Sequence, residues 1–187
     1  MFADDFSQNK GWPRDDFSYG QYPGYYSLTT HGDNLEHFAN APINVLPPKA
    51  TSLSVKMRMP DGEPDGQAGL YCHGRRDQNA DDGYEFHIRR DGRASIAKRI
   101  KGDARDLTLA ERIPRYRADK LVTLRAVCLQ EPRRVLLTFW VNDERVATVV
   151  DDESPLKAGA VGLMARQTSG NRRSTAAHFD DFRLGRL

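Results

Sequence analysis

The dominant period along this chain is two. Leu53, Val55, Met57 and Met59 alternate with Ser54, Lys56 and Arg58. Tyr84, Phe86 and Ile88 alternate with Glu85, His87 and Arg89, and the same rhythm runs through Val122, Leu124, Ala126 and Cys128 and through Val135, Leu137, Phe139 and Val141. Strict alternation over such lengths predicts half-buried β-strands with one face on a core. Turn chemistry separates the runs: Asp61-Gly62, Asp82-Gly83, Asp91-Gly92, Asn142-Asp143 and Gly170-Asn171 supply the residues that hairpins require. Hairpins are therefore expected at 90–93 and at 141–146. No helix longer than a turn is predicted, and 106–112 reads as either a short helix or a strand. The stretch from about 12 to 24, with Pro13, Pro23, two glycines and several aromatics, reads as an irregular loop packed over one mouth of the fold.

Nothing in the pattern divides the chain, so residues 1–187 are expected to form a single β-sandwich domain. Similar segments lie at the two ends, Asp4-Asp5-Phe6 and Asp180-Asp181-Phe182. Pairing the first and last strands would close an otherwise open sheet edge.

Charge narrows the function. Lys and Arg number 28 against 26 Asp and Glu, a formal net charge of +2. That balance excludes nucleic-acid binding driven by bulk electrostatics. The short basic runs (Arg89-Arg90, Lys98-Arg99, Arg133-Arg134 and Arg172-Arg173) read as solvated strand ends. No apolar run approaches the roughly 20 residues needed to span a bilayer, so membrane insertion is not expected. Met1 leads directly into Phe2 and Ala3 without a signal peptide, which places the protein in the cytoplasm if Met1 is the true start and outside it if the chain is an excised domain. Cys72 and Cys128 occupy inward positions where a free thiol acts as a small hydrophobe. A disulfide between them would form only in an oxidising compartment.

Four pieces of the chain together resemble a known superfamily. They are Phe2-Ala3-Asp4-Asp5-Phe6 with Gly11-Trp12-Pro13 behind it; Ala68–Cys72 with Tyr84–Ile88; Phe139–Val146, with Asp143 where a glycine is usual; and Ala158–Leu163 running to His178–Leu184. The order resembles the concanavalin A-like, laminin-G-like jelly rolls. It is similar in particular to bacterial family-sixteen-like domains, also called domain of unknown function 1080. The resemblance implies an all-β, two-sheet antiparallel jelly-roll sandwich with a concave face that holds a saccharide.

The residues facing away from the core on the middle strands are then the candidate ligand-binding set: Tyr71, His73, Glu85, His87, Arg89, Arg125, Trp140, Asn142 and Arg166. Aromatic faces with planar hydrogen-bonding groups suit a sugar, which offers an apolar ring face and a rim of hydroxyls. A family-sixteen-type hydrolase would need two carboxylates on a Glu-x-Asp-x-x-Glu strand, and Glu85 has no partner at either spacing. A lyase would need Arg, His and Tyr, which are present without a lyase motif around them. No catalytic residue is assigned. The expected function is non-catalytic recognition of a carbohydrate or a protein partner; the alternatives are a carbohydrate-active enzyme, lyase or hydrolase, and a sensory or structural domain of a larger bacterial receptor. No cofactor is required. Calcium is the one ion the sequence admits, through Asp4, Asp5, Asp180 and Asp181 where the terminal strands would meet.

Overall fold

The computed structural model describes residues 1–16, 18–21, 24–30, 36–44, 47, 49–77, 80–167 and 174–187. The turn expected at 170–171 and the basic pair at 172–173 lie outside them. The described residues contain no helix, and so none long and apolar enough to cross a membrane. Their strands are β1 (Phe2–Asp4), β2 (Ser18–Gln21), β3 (Tyr25–Thr29), β4 (Glu36–Asn40), β5 (Ala50–Asp61), β6 (Gln67–Asp77), β7 (Ala80–Arg89), β8 (Arg93–Ile100), β9 (Asp103–Asp106), β10 (Glu111–Arg112), β11 (Val122–Gln130), β12 (Val135–Val141), β13 (Glu144–Asp151), β14 (Ala160–Arg166) and β15 (Ala176–Arg186). One expectation changes here and one open choice is resolved as strand. The segment 12–24 is not wholly irregular, because β2 forms within it and pairs with β3. The 106–112 stretch holds the end of β9 and all of β10, both paired with β8.

The strands form two antiparallel sheets. One has eight strands in the order β13-β12-β11-β5-β15-β3-β2, with β1 also on β15; the other has seven in the order β10-β8-β7-β6-β14-β4, with β9 also on β8. The alternating positions behave as their pattern requires. Leu53, Val55, Met57, Leu124, Ala126, Leu137 and Phe139 line the inner face of the first sheet, and Leu70, Tyr84, Phe86, Ile88, Ile96 and Leu163 that of the second. The two inner faces together make one buried core.

The terminal strands do pair. Phe2, Ala3 and Asp4 lie opposite Leu184, Arg183 and Phe182. β15 runs along β5 on one edge and shares its other edge between β3 and β1, with a change of register between Asp180 and Arg183. Asp181 sits at that irregularity with φ +51°. Behind the junction Phe2, Phe6, Trp12, Tyr26 and Phe182 form an aromatic cluster, with Trp12 edge-on to Phe182 at 5.1 Å. Trp12 is therefore part of the buried core.

Asp4 fastens this cluster. Its Oδ1 accepts from the Phe6 backbone N–H and its Oδ2 from the Trp12 indole N–H, both at 2.9 Å, while the side chain is fully buried. Asp4→Asn swaps one acceptor for a donor that would face another donor. The variant is expected to lose about 1–3 kcal/mol of stability in urea unfolding; an unchanged midpoint would show that the bracket carries no weight.

Both cysteines are joined in a disulfide. Cys72 lies on β6 and Cys128 on β11, so the bond stitches the two sheets together through the core. The free-thiol reading of these positions gives way to this crosslink. Both side chains do point inward, as alternation requires, and strand pairing brings them face to face.

Candidate binding face

The outer surface of the seven-stranded sheet is concave. Arg99 on β8 and Glu36 on β4 are four strand steps apart, which in a flat sheet would separate their backbones by about 19 Å. Yet Arg99 Nη2 donates to Glu36 Oε1 at 2.7 Å. Only strong curvature brings these two strands within reach of each other.

At the centre of the concavity stands Glu85 on β7, fully buried at 0% exposure. Arg99 Nε donates to its Oε1 at 2.6 Å, and Arg166 Nη1 lies 2.9 Å from its Oε2. Each guanidinium is held in turn. Arg99 also donates to the Gly102 carbonyl, and its Cζ lies 5.2 Å from the Phe38 ring centroid. Arg166 donates through Nε and Nη2 to Gln67 Oε1 at 3.2 and 2.7 Å. Such charge-assisted, fork-shaped contacts fix the planes of both arginines. Glu36, with its side chain about a third exposed (36%), forms part of the rim.

Three further side chains complete the face. Tyr71 lies directly opposite Glu85 in the β6–β7 register and donates its hydroxyl to Asn40 Oδ1. Its ring fits because Gly162 stands beside it: a Cβ there would come within 2.0 Å of the Ala39 carbonyl oxygen and 2.9 Å of the tyrosine ring. Arg89, half-buried, reaches Asp91 at 3.7 Å. His87 is buried with Nε2 3.0 Å from Ser95 Oγ, and Ser95 donates to Asp106 Oδ1 at 3.1 Å. With the serine proton on the carboxylate, His87 Nε2–H donates to Ser95 and Nδ1 carries a lone pair. That nitrogen meets no partner among the described residues.

The Ser95–His87–Asp106 contact is not a nucleophilic triad, because Asp106 meets the serine rather than orienting the imidazole. Glu85, with both oxygens engaged by guanidinium groups, leaves neither free to protonate a leaving group. The face presents oriented donors and acceptors.

Burial, reinforced by the Arg166 charge, pushes His87 down to about 3. Its unfolded value lies near 6.5, so as pH falls the unfolded chain takes up the proton first. Stability is then unaffected above about 6.5 and declines toward 3, by up to about 1.4 kcal/mol per pH unit. His178, held down to about 4 by burial and Arg58, adds to the same trend. Melts at pH 7.5 and 5 check this: the wild-type difference should shrink in His87→Gln, and an equal difference in both proteins would refute it.

The sequence-selected residues divide between the two sheets. Tyr71, Glu85, His87, Arg89 and Arg166 share the concave face. His73 does not: it sits at a register change with φ +53°, donates its Nδ1–H to the Leu156 carbonyl (3.1 Å), and packs edge-on to the inward Tyr84. Arg125, Trp140 and Asn142 belong to the eight-stranded sheet; Asn142 occupies the β12–β13 turn, where its Oδ1 accepts from the Thr123 N–H at 2.9 Å. Arg99, Gln67, Glu36 and Ser95 join the face without a signal in the alternation. Lys98 and Arg99, read as solvated, are 2% and 1% exposed. Lys98 instead faces inward, 2.6 Å from Asp151, which also accepts from the Tyr84 hydroxyl at 2.6 Å.

The four terminal aspartates are engaged locally. Besides Asp4, Asp5 accepts from the Ser7 hydroxyl and N–H, Asp180 accepts from the Asp181 N–H, and Asp181 pairs with Lys56 at 2.5 Å. Burial, with Asp181 and Asp5 nearby, raises Asp180. Among the described residues, no three His, Cys, Asp or Glu side chains gather as metal ligands.

No protein-family model and no curated protein sequence matches the chain. Solved structures do. The carbohydrate binding module CBM66 from Bacillus subtilis superposes with a TM-score of 0.70 at 16% identity, covering 93% of this chain and 94% of that one. The fold is a two-sheet antiparallel jelly-roll sandwich. The Bacillus licheniformis β-glucanase agrees, with a TM-score of 0.67, 12% identity and coverage of 100% and 98%. The GH43 BlXynB protein from Bacillus licheniformis gives 0.68 at 17% identity; 99% of this chain matches only 39% of that longer one.

Proposed function

We propose that this jelly roll is a non-catalytic carbohydrate-recognition module whose ligand rests in the concave face of the seven-stranded sheet. The observation that carries the reading is the buried Glu85 clamped between Arg99 and Arg166. Two guanidinium planes set in advance lose little freedom on binding, which favours a polar ligand such as a sugar. Phe38 adds an apolar ring beside the rim. A carbohydrate binding module of the same fold among the solved structures supports the choice of ligand class. The buried disulfide fits work in an oxidising compartment.

A glycan array probed with folded protein, followed by calorimetry on the best ligand, tests the proposal. Arg89→Ala, at the half-exposed edge, is expected to weaken that ligand about tenfold, roughly 1.4 kcal/mol. A blank array, or a ligand indifferent to both Arg89→Ala and Glu36→Ala, would overturn it.

A further inference from the structure

The outer face of the eight-stranded sheet carries a different arrangement. Strand register places Arg183, Ser54, Arg125, Trp140 and Arg145 in one row across β15, β5, β11, β12 and β13. Directly paired residues share a face. The chain neighbours of Arg183, Ser54, Arg125 and Trp140 (Leu53, Val55, Leu124, Ala126, Phe139, Val141, Phe182 and Leu184) are all buried and Arg145 is itself exposed, so the row points to solvent. Arg183, Arg125 and Arg145 are exposed, and none of them has an ion-pair partner among the described residues. No acidic residue lies in the row. In the adjacent row Lys56 is already neutralised by Asp181.

These arginines are presented rather than merely left over. Arg125 Cζ sits 4.0 Å from the Trp140 ring centroid. Stacking on the indole orders the guanidinium without consuming its in-plane donors. Those donors form a fork that matches a carboxylate or sulfate. The partly exposed indole beside it offers a platform for a sugar ring.

Spacing selects among polyanions. Successive arginines lie two strand steps apart, about 10 Å. A nucleic-acid duplex turns its bases inward and shows only its phosphates along each strand, so it offers no free ring face to Trp140. A chain of sugars bearing acid groups, with ring faces between them, matches a row in which a Trp stands between two arginines.

We propose that this row binds an acidic polysaccharide, its carboxylates or sulfates on Arg183, Arg125 and Arg145 and one ring on Trp140. The site is on the opposite sheet from the concave face and does not depend on it.

Calorimetry with polygalacturonate and with heparin at low ionic strength tests this, with dextran as the neutral control. At least one acidic chain should bind, weaken as salt is raised, and leave dextran unbound. The triple variant Arg125→Ser, Arg145→Ser, Arg183→Ser should bind roughly tenfold more weakly or worse, with the melting temperature little changed because all three side chains are exposed and the one stack lost, Arg125 on Trp140, lies at the surface. Trp140→Ala should lose several-fold, and Arg89→Ala, on the other sheet, nothing. The proposal is overturned if neither acidic chain binds, if the triple variant binds as tightly as the wild type, or if a single-stranded oligonucleotide binds more tightly than both.

Discussion

Replacing Cys72 and Cys128 together by alanine is expected to lower the unfolding free energy by about 4 kcal/mol. The bond closes a loop between residues 56 apart in sequence, and it joins one strand of each sheet. In the unfolded chain that constraint removes conformations, which is where most of the stabilisation originates in the chain-entropy account. Both cysteines are completely buried. A mild reductant should therefore reach the bond only when the sandwich opens, so reduction should be slow under native conditions and fast in urea. Urea unfolding with and without reductant checks the magnitude, and a thiol assay on native protein checks the bond. Two titratable thiols in the unreduced, denatured protein, or a midpoint indifferent to reductant, would contradict this account of the core.

The second large effect concerns Glu85. Glu85→Leu is expected to cost about 3–5 kcal/mol, because it leaves the guanidiniums of Arg99 and Arg166 buried without the carboxylate between them. Glu85→Gln, which keeps an acceptor but loses the charge, should fall between Leu and wild type. The triple variant Glu85→Leu, Arg99→Met, Arg166→Met should recover part of the stability, since a buried ion network is often replaceable by well-packed apolar residues. It should nonetheless lose saccharide binding. That divergence between stability and affinity is the useful outcome: it would place the network's purpose in recognition. A Glu85→Leu variant within about 1 kcal/mol of wild type would show that the network is not closed in solution.

Alternation revealed the inward residues of β5, β7, β11 and β12 because each inner position must be apolar and each outer one need not be. The paired ends were legible from the matching Asp4-Asp5-Phe6 and Asp180-Asp181-Phe182 segments and from the need to close a sheet edge. What alternation lacks is the identity of the sheet. Glu85 and Trp140 are both outward on strands of similar pattern, and only long-range pairing puts one in the concavity and the other on the opposite face. His73 escaped because the register change after Cys72 breaks the period locally. Arg99 escaped because a charged residue near a strand end reads as solvated; curvature of the whole sheet is what buries it, and no short stretch of sequence encodes that. The cysteines were each placed correctly on an inner face, while the fact that β6 faces β11 across the core belongs to the topology.

The most direct measurement is a nitrogen–proton correlation spectrum recorded while titrating the saccharide found on the array. Shifts should concentrate at Glu36, Gln67, Glu85, His87, Arg89 and Arg166, with the Arg99 and Arg166 side-chain signals among the largest. Shifts confined to the outer face of the eight-stranded sheet around Trp140, with the concave face silent, would contradict it.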